Sequence, residues 1–63
     1  MQYKIKEKRK ERDMTQVELA EKSKVARGII VRLESQKEFA TSTSTLFKLA
    51  QALDCKIEDI FLP

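Results

Sequence analysis

The stretch TQVELAEKSKVARGIIVRLESQK, residues 15–37, decides the fold. Thr15 followed three residues later by Glu18 is the pattern of a reciprocal N-cap. Each side chain there bonds a backbone N–H that the first helical turn leaves without a partner. Beyond it Val17, Leu19 and Ala20 alternate with Glu18, Glu21 and Lys22 at helical spacing, which predicts one apolar and one polar face. Four residues, Ser23, Lys24, Val25 and Ala26, break the pattern. A second helix is expected over roughly residues 27–35, with Ile30 and Leu33 on its inner side. Two helices with so short a joint must cross steeply and pin each other through Leu19, Ala20, Val25, Ile30 and Leu33. The second helix then offers its arginines outward.

On either side of this helix-turn-helix pattern the chain reads as further helices. A first helix is expected from residue 3 or 4 to 12, thin in apolar content, with only Tyr3 and Ile5 before Met14. A polar loop over residues 35–41 is interrupted by Phe39, which is expected to fold back on the core. The run Thr41-Ser42-Thr43-Ser44-Thr45 looks like low complexity, but its position suits the N-cap of a fourth helix. That helix, ending near Leu53, would bury Leu46, Leu49, Ala50 and Leu53 at i, i+3, i+4 and i+7. A turn over residues 54–56 leads to a short last helix over residues 57–61. No strand pattern, repeat or linker is visible, so the expected fold is all-α with about five helices in a single domain, residues 1–63. The set of five helices and the starting Met1 are expected to make this a whole protein rather than a fragment.

Sixty-three residues bury only about 60% of the surface that the unfolded chain exposes, so each core side chain matters. Apolar residues make up 41% and charged residues 37%, a balance that suits a helical domain with a small core. The apolar runs are too short to span a membrane and no signal peptide is visible, so a cytoplasmic, nucleoid-associated protein is expected. Residues 1–37 carry eleven Lys/Arg against six Asp/Glu, net +5, whereas residues 38–63 are net −2. A basic half that includes the outward arginines fits a polyanionic partner, although a solvated charged surface accounts for the same numbers. The chain has no histidine, one cysteine and one glycine. It therefore lacks the commonest general base, any metal-ligand spacing and a glycine-rich phosphate loop. The expected role is binding, not catalysis, with no cofactor, metal or small-molecule ligand.

An ordered series of motifs resembles the Cro/CI-type helix-turn-helix family, also called XRE, of phage and bacterial repressors. It comprises Met14-Thr15-Gln16, Glu18-Leu19-Ala20, Ile30, Leu33-Glu34, Leu46-Lys48-Leu49-Ala50-Ala52-Leu53 and Ile57-Glu58-Asp59-Ile60-Phe61. The resemblance covers nearly the whole chain and implies a five-helix, lambda-repressor-like DNA-binding domain. It implies further that Arg27, Gly28, Val31 and Arg32 on the third helix face the bases of a major groove, while Gln16, Thr15, Lys24 and Lys37 meet phosphates. Ile29, Ile30 and Val31 are consecutive and cannot all face inward. Ile29 reads as core rim and Val31 as exposed. By the same resemblance, Arg9 and Glu34 form a partly buried ion pair between the first and third helices.

Three choices depart from the family pattern. Lys24 stands where a turn glycine is usual, Ala26 where a Ser or Thr cap is usual, and Gly28 lies inside the recognition helix. Each costs on the order of 1 kcal/mol. Gly28 either permits close approach to DNA or reflects simple drift. Lys8 stands where an inward leucine is common, so its methylene stem must cover the core. Cys55 reads as a small core residue, with a redox switch as the alternative. Phe61 and Leu62 are candidates for a two-fold dimer contact. The resulting expectation is a homodimeric transcriptional regulator, a repressor, on double-stranded DNA with a palindromic operator. The alternative is a protein-interaction module such as an antitoxin-like or anti-repressor domain.

Overall fold

A computed structural model of the protein describes residues 2–35 and 41–62, with side chains for residues 3–35 and 41–61. It contains helices α1 (Ile5–Glu11), α2 (Gln16–Ser23), α3 (Arg27–Ser35), α4 (Thr43–Ala52) and α5 (Ile57–Ile60). Two short strands, β1 (Gln2–Tyr3) and β2 (Phe61–Leu62), bracket them. The fold is all-α in class. The ribbon is an addition that no sequence pattern announced, since two residues are too few to show strand alternation. It pairs Gln2 with Leu62 and Tyr3 with Phe61 antiparallel, and the Lys4 N–H continues it with a 2.8 Å bond to the Ile60 carbonyl. The expected ends of two helices move for the same reason. Tyr3 is spent on β1, so α1 starts at Ile5; Phe61 turns extended, so α5 stops at Ile60. Phe39 and Lys37 lie outside the described residues.

Local signals set the helix boundaries. Thr15 Oγ1 accepts the Glu18 N–H at 3.1 Å while Glu18 Oε1 accepts the Thr15 N–H at 2.8 Å, which completes the reciprocal cap. Ser42 caps α4 by accepting the Thr45 N–H at 3.1 Å. Helices α1 and α4 end alike. A left-handed aspartate, Asp13 or Asp54, lets the next residue's N–H reach back to Arg9 or Ala50 respectively. Helix α2 ends on Lys24 at φ 65°, whose N–H bonds the Ala20 carbonyl. Aspartate tolerates this conformation better than lysine, so the strain of the missing glycine falls on the turn between α2 and α3. Ser23 partly offsets it: it is buried, and its Oγ accepts the Val25 N–H at 3.2 Å.

Helix α2 packs on α3 and α4, α1 on α3, and α4 on α5. Between them lie Ile5, Leu19, Val25, Ile30, Leu33, Leu46, Leu49, Ala50, Ala52, Leu53 and Ile60. Six of these, Ile5, Leu19, Ile30, Leu49, Leu53 and Ile60, are fully buried, each worth about 1.5–3 kcal/mol relative to an exposed side chain. Ala20, Ile29 and Ile57 are partly buried at the rim. Cys55 differs from its expected place. It is half-buried beside the core, because the reversal at Asp54 leaves the next residue on the edge of α4 and α5.

Candidate nucleic-acid interface

Helix α3 is amphipathic in a way that separates its tasks. Ile30 and Leu33 point into the core, and Ile29 packs at its rim. At about 100° per residue, Arg27, Gly28, Val31 and Arg32 fall on one arc opposite them, and all four are exposed. That arc carries two guanidiniums, one isopropyl group and one bare stretch of backbone. Chemically, it suits base edges that offer paired acceptors or a methyl group.

Gly28 has ordinary helical φ, and a Cβ built on it meets nothing within 4 Å. The fold itself gives no reason for a glycine there. The α3 start has no described side-chain cap; instead the Ala26 carbonyl accepts both Ile29 N–H at 3.0 Å and Ile30 N–H at 3.3 Å.

The arc is held in place by a polar cluster at its flank, around Glu34 near the end of α3. Arg9 Nε donates to Glu34 Oε2 at 2.8 Å and Nη2 to Oε1 at 3.1 Å. Arg9 Nη1 donates to the Met14 carbonyl at 2.8 Å. Gln16 Nε2 adds a third bond to the carboxylate, reaching Oε1 at 3.0 Å. The Arg9 and Glu34 side chains are only 11% and 5% exposed, so the pair is largely shielded from water, as a partly buried ion pair. Hydrogen bonding to Glu34 holds the Arg9 guanidinium above its ordinary range, against the opposing effect of burial. One cluster therefore ties α1, the α1–α2 turn, the start of α2 and the end of α3 together.

That cluster changes what Gln16 and Thr15 can offer a phosphate. One Gln16 amide proton is committed to Glu34 and the other remains. Glu18 takes the Thr15 N–H, so the anion-facing donors at this helix end are the Gln16 and Val17 N–H groups and the Thr15 hydroxyl proton. Lys24 lies elsewhere, with Lys22 and Lys48 around a groove of about 320 Å³ between α2 and α4. Lys37 lies outside the described residues.

At the far end, Phe61 is half-buried and its ring meets Tyr3 at 5.5 Å, tilted by 38°. Leu62 takes part in the ribbon through its backbone. Sequence reading missed Phe47, which is 52% exposed. The signal was present, because Phe47 falls off the inward stripe of Leu46, Leu49, Ala50 and Leu53. Among the described residues no group of three His, Cys, Asp or Glu is placed to hold a metal. No helix among them is long and apolar enough to cross a membrane.

A packed α2–α3 pair joined by a three-residue turn, a capped α2 start and an outward cationic arc on α3 define a helix-turn-helix domain. The comparisons agree. The family profile described as "Helix-turn-helix" matches residues 5–60, and the chain belongs to that family, in its XRE-type branch. It is also 44% identical over 62 residues to a protein of Archaeoglobus fulgidus named as an uncharacterized HTH-type transcriptional regulator. The match spans 98% of this chain and 86% of the relative.

Proposed function

We propose that this domain, residues 1–63, is a sequence-specific transcriptional regulator that sets α3 into the major groove of a palindromic operator as a homodimer. It acts as a repressor by occupying a promoter. The exposed arc of Arg27, Gly28, Val31 and Arg32 carries this reading. Arg27 and Arg32 bond guanine O6 and N7, Val31 meets a thymine methyl, and Gly28 lets the backbone come close. Gln16 and Thr15 hold one phosphate, and Lys24 and Lys37 add positive charge along the backbone. Phe61 and Leu62 contribute to the two-fold contact, which must set the two α3 helices about 34 Å apart. Its setting is the cytoplasm, at the nucleoid, and its work is binding without catalysis.

The test is selection of bound duplexes from a random pool at about 150 mM salt. The expected result is a palindrome with guanines in each half-site. Arg27→Ala and Arg32→Ala each relax a separate position, by about 1–3 kcal/mol. Enrichment of no sequence over bulk DNA overturns base reading. A second reading, an interaction module of the antitoxin or anti-repressor kind, draws support from exposed Val17, Val31 and Phe47. Its binding would persist as salt rises, whereas phosphate-driven binding falls steeply.

A further inference from the structure

Two open grooves lie between helices and differ in chemistry. The larger, about 630 Å³ between α4 and α5, is mainly apolar and walled by Phe47, Ala50, Cys55, Ile57 and Phe61. The smaller, about 320 Å³, lies between the end of α2 and the second half of α4 and is lined by Lys22, Ser23, Lys24, Lys48, Gln51 and Ala52. It carries three ammonium groups and no carboxylate. None of the three lysines forms an ion pair among the described residues, so their mutual repulsion goes uncompensated.

Two further observations point to a ligand. Ser23 lines this groove yet is only 4% exposed. Its Oγ accepts the Val25 N–H, and among the described residues nothing accepts its own proton. One buried donor at the groove wall is therefore free for an acceptor seated there. Lys24 holds φ 65°, where a glycine would relieve the strain. Its backbone N–H serves the end of α2, while its ammonium has no ion-pair partner among the described residues.

We propose that the groove is a phosphate-binding site, in which Lys22, Lys24 and Lys48 meet the terminal oxygens of one phosphoryl group. The Ser23 hydroxyl and the Gln51 amide serve as neutral donors. Lysine is a point-charge partner for phosphate and lacks the planar fork that suits a carboxylate. The dipole at the end of α2 opposes an anion here, but it amounts to about half a charge against three. No α3 residue lines the groove, so the site is separate from the base-reading arc. The inference rests on one part of the reading above, the phosphate role of Lys24, and gives that lysine two partners. The phosphoryl group comes from a duplex backbone or from a small phosphorylated molecule, and the recognising chemistry is the same.

Pyrophosphate titrated into the free protein at about 150 mM ionic strength, followed through backbone amide resonances, tests the site without DNA. The shifts should saturate and centre on residues 22–24 and 48–52. Lys22→Gln and Lys48→Gln, both at exposed positions, should each weaken binding about fivefold. Lys10→Gln removes the same charge from the exposed face of α1 and should leave binding within about twofold. Shifts that do not saturate by about 10 mM, shifts spread evenly over the surface, or an equal loss in Lys10→Gln each overturn the proposal.

A duplex of arbitrary sequence then distinguishes the sources. If a backbone phosphate fills the groove, pyrophosphate competes with the duplex, and Lys48→Gln lowers the slope of log affinity against log salt by about one. If a small molecule fills it, the slope is unchanged and duplex and pyrophosphate bind together. The pyrophosphate titration contains no DNA, so its failure would leave base reading to be decided separately by duplex selection.

Discussion

Where α1 meets α3 the contact is a charged cluster, and where α4 meets α5 it is aliphatic. Helix α1 buries only Ile5 and is tied to α3 by Arg9. Helix α4 buries Leu46, Leu49, Ala50 and Ala52 and carries no ion pair among the described residues. Burial is strong but non-directional, while a forked guanidinium–carboxylate bond fixes an angle. The half that carries the exposed arginines of α3 is thus held by bonds with direction, and the half with a bare apolar groove by packing. A small core is completed here by two different kinds of force, and each can be attacked alone.

The largest effect is expected from breaking the cluster. Arg9→Ala leaves the Glu34 carboxylate buried with only Gln16 as a side-chain donor, and the fold should lose about 3–5 kcal/mol. For a domain of this size that lowers Tm by about 15 °C or more in a calorimetric melt. The joint change Arg9→Met with Glu34→Leu should recover most of the loss, since matched apolar groups replace a buried pair at little cost. The sharper question is what the double variant does to DNA binding. If α3 needs the direction of the bonds, the recovered fold binds more weakly; equal affinity would mean that packing alone orients α3. A shift of a degree or two for Arg9→Ala would show that the pair does not hold α1 at all.

Gly28→Ala sharpens the contrast by setting stability against binding. The added methyl meets nothing in the protein, and alanine is the better helix former by up to about 1 kcal/mol. Urea denaturation should therefore find a more stable fold. If the bare backbone serves close approach to DNA, affinity should fall at the same time. A variant that is more stable and binds as well as before would mark the glycine as drift.

Much of the helix-turn-helix was legible because its signals are local. Thr15 and Glu18 are three residues apart, Ser42 lies within the capping run, and the stripe of α4 repeats at helical spacing. The Arg9–Glu34 pair spans 25 residues and no periodicity links its members; only the family resemblance points to it. The Tyr3–Phe61 ribbon brings opposite ends of the chain together with too few residues to form a pattern. Phe47 was visible as an off-stripe residue, but the groove beside it exists only once α5 has docked. Cys55 lies at the groove wall and not in the core because the chain reverses at Asp54, a turn that no apolar periodicity reveals. The outward arc of α3 could be read because Ile30 and Leu33 fix which side faces inward.

The smallest effect concerns that groove wall. Burial, with the nearby Asp59 carboxylate, holds the Cys55 thiol above its ordinary pKa, and Arg12 and Lys8 only partly oppose this. A raised pKa means the folded state keeps the proton more tightly than the unfolded state. The resulting stability is intact below the ordinary thiol pKa and is lost as pH rises through the raised value. Because the thiol is only half-buried, solvent screens the effect, and the loss should be no more than a few degrees of Tm. Melts of the wild type and Cys55→Ala, run in parallel from pH 7 to about pH 10, isolate it from every pH effect that both chains share. The wild type should lose slightly more stability than the variant across that window. Parallel curves would mean that the thiol already meets water freely, and that the groove is wetter at its Cys55 wall than its apolar lining implies.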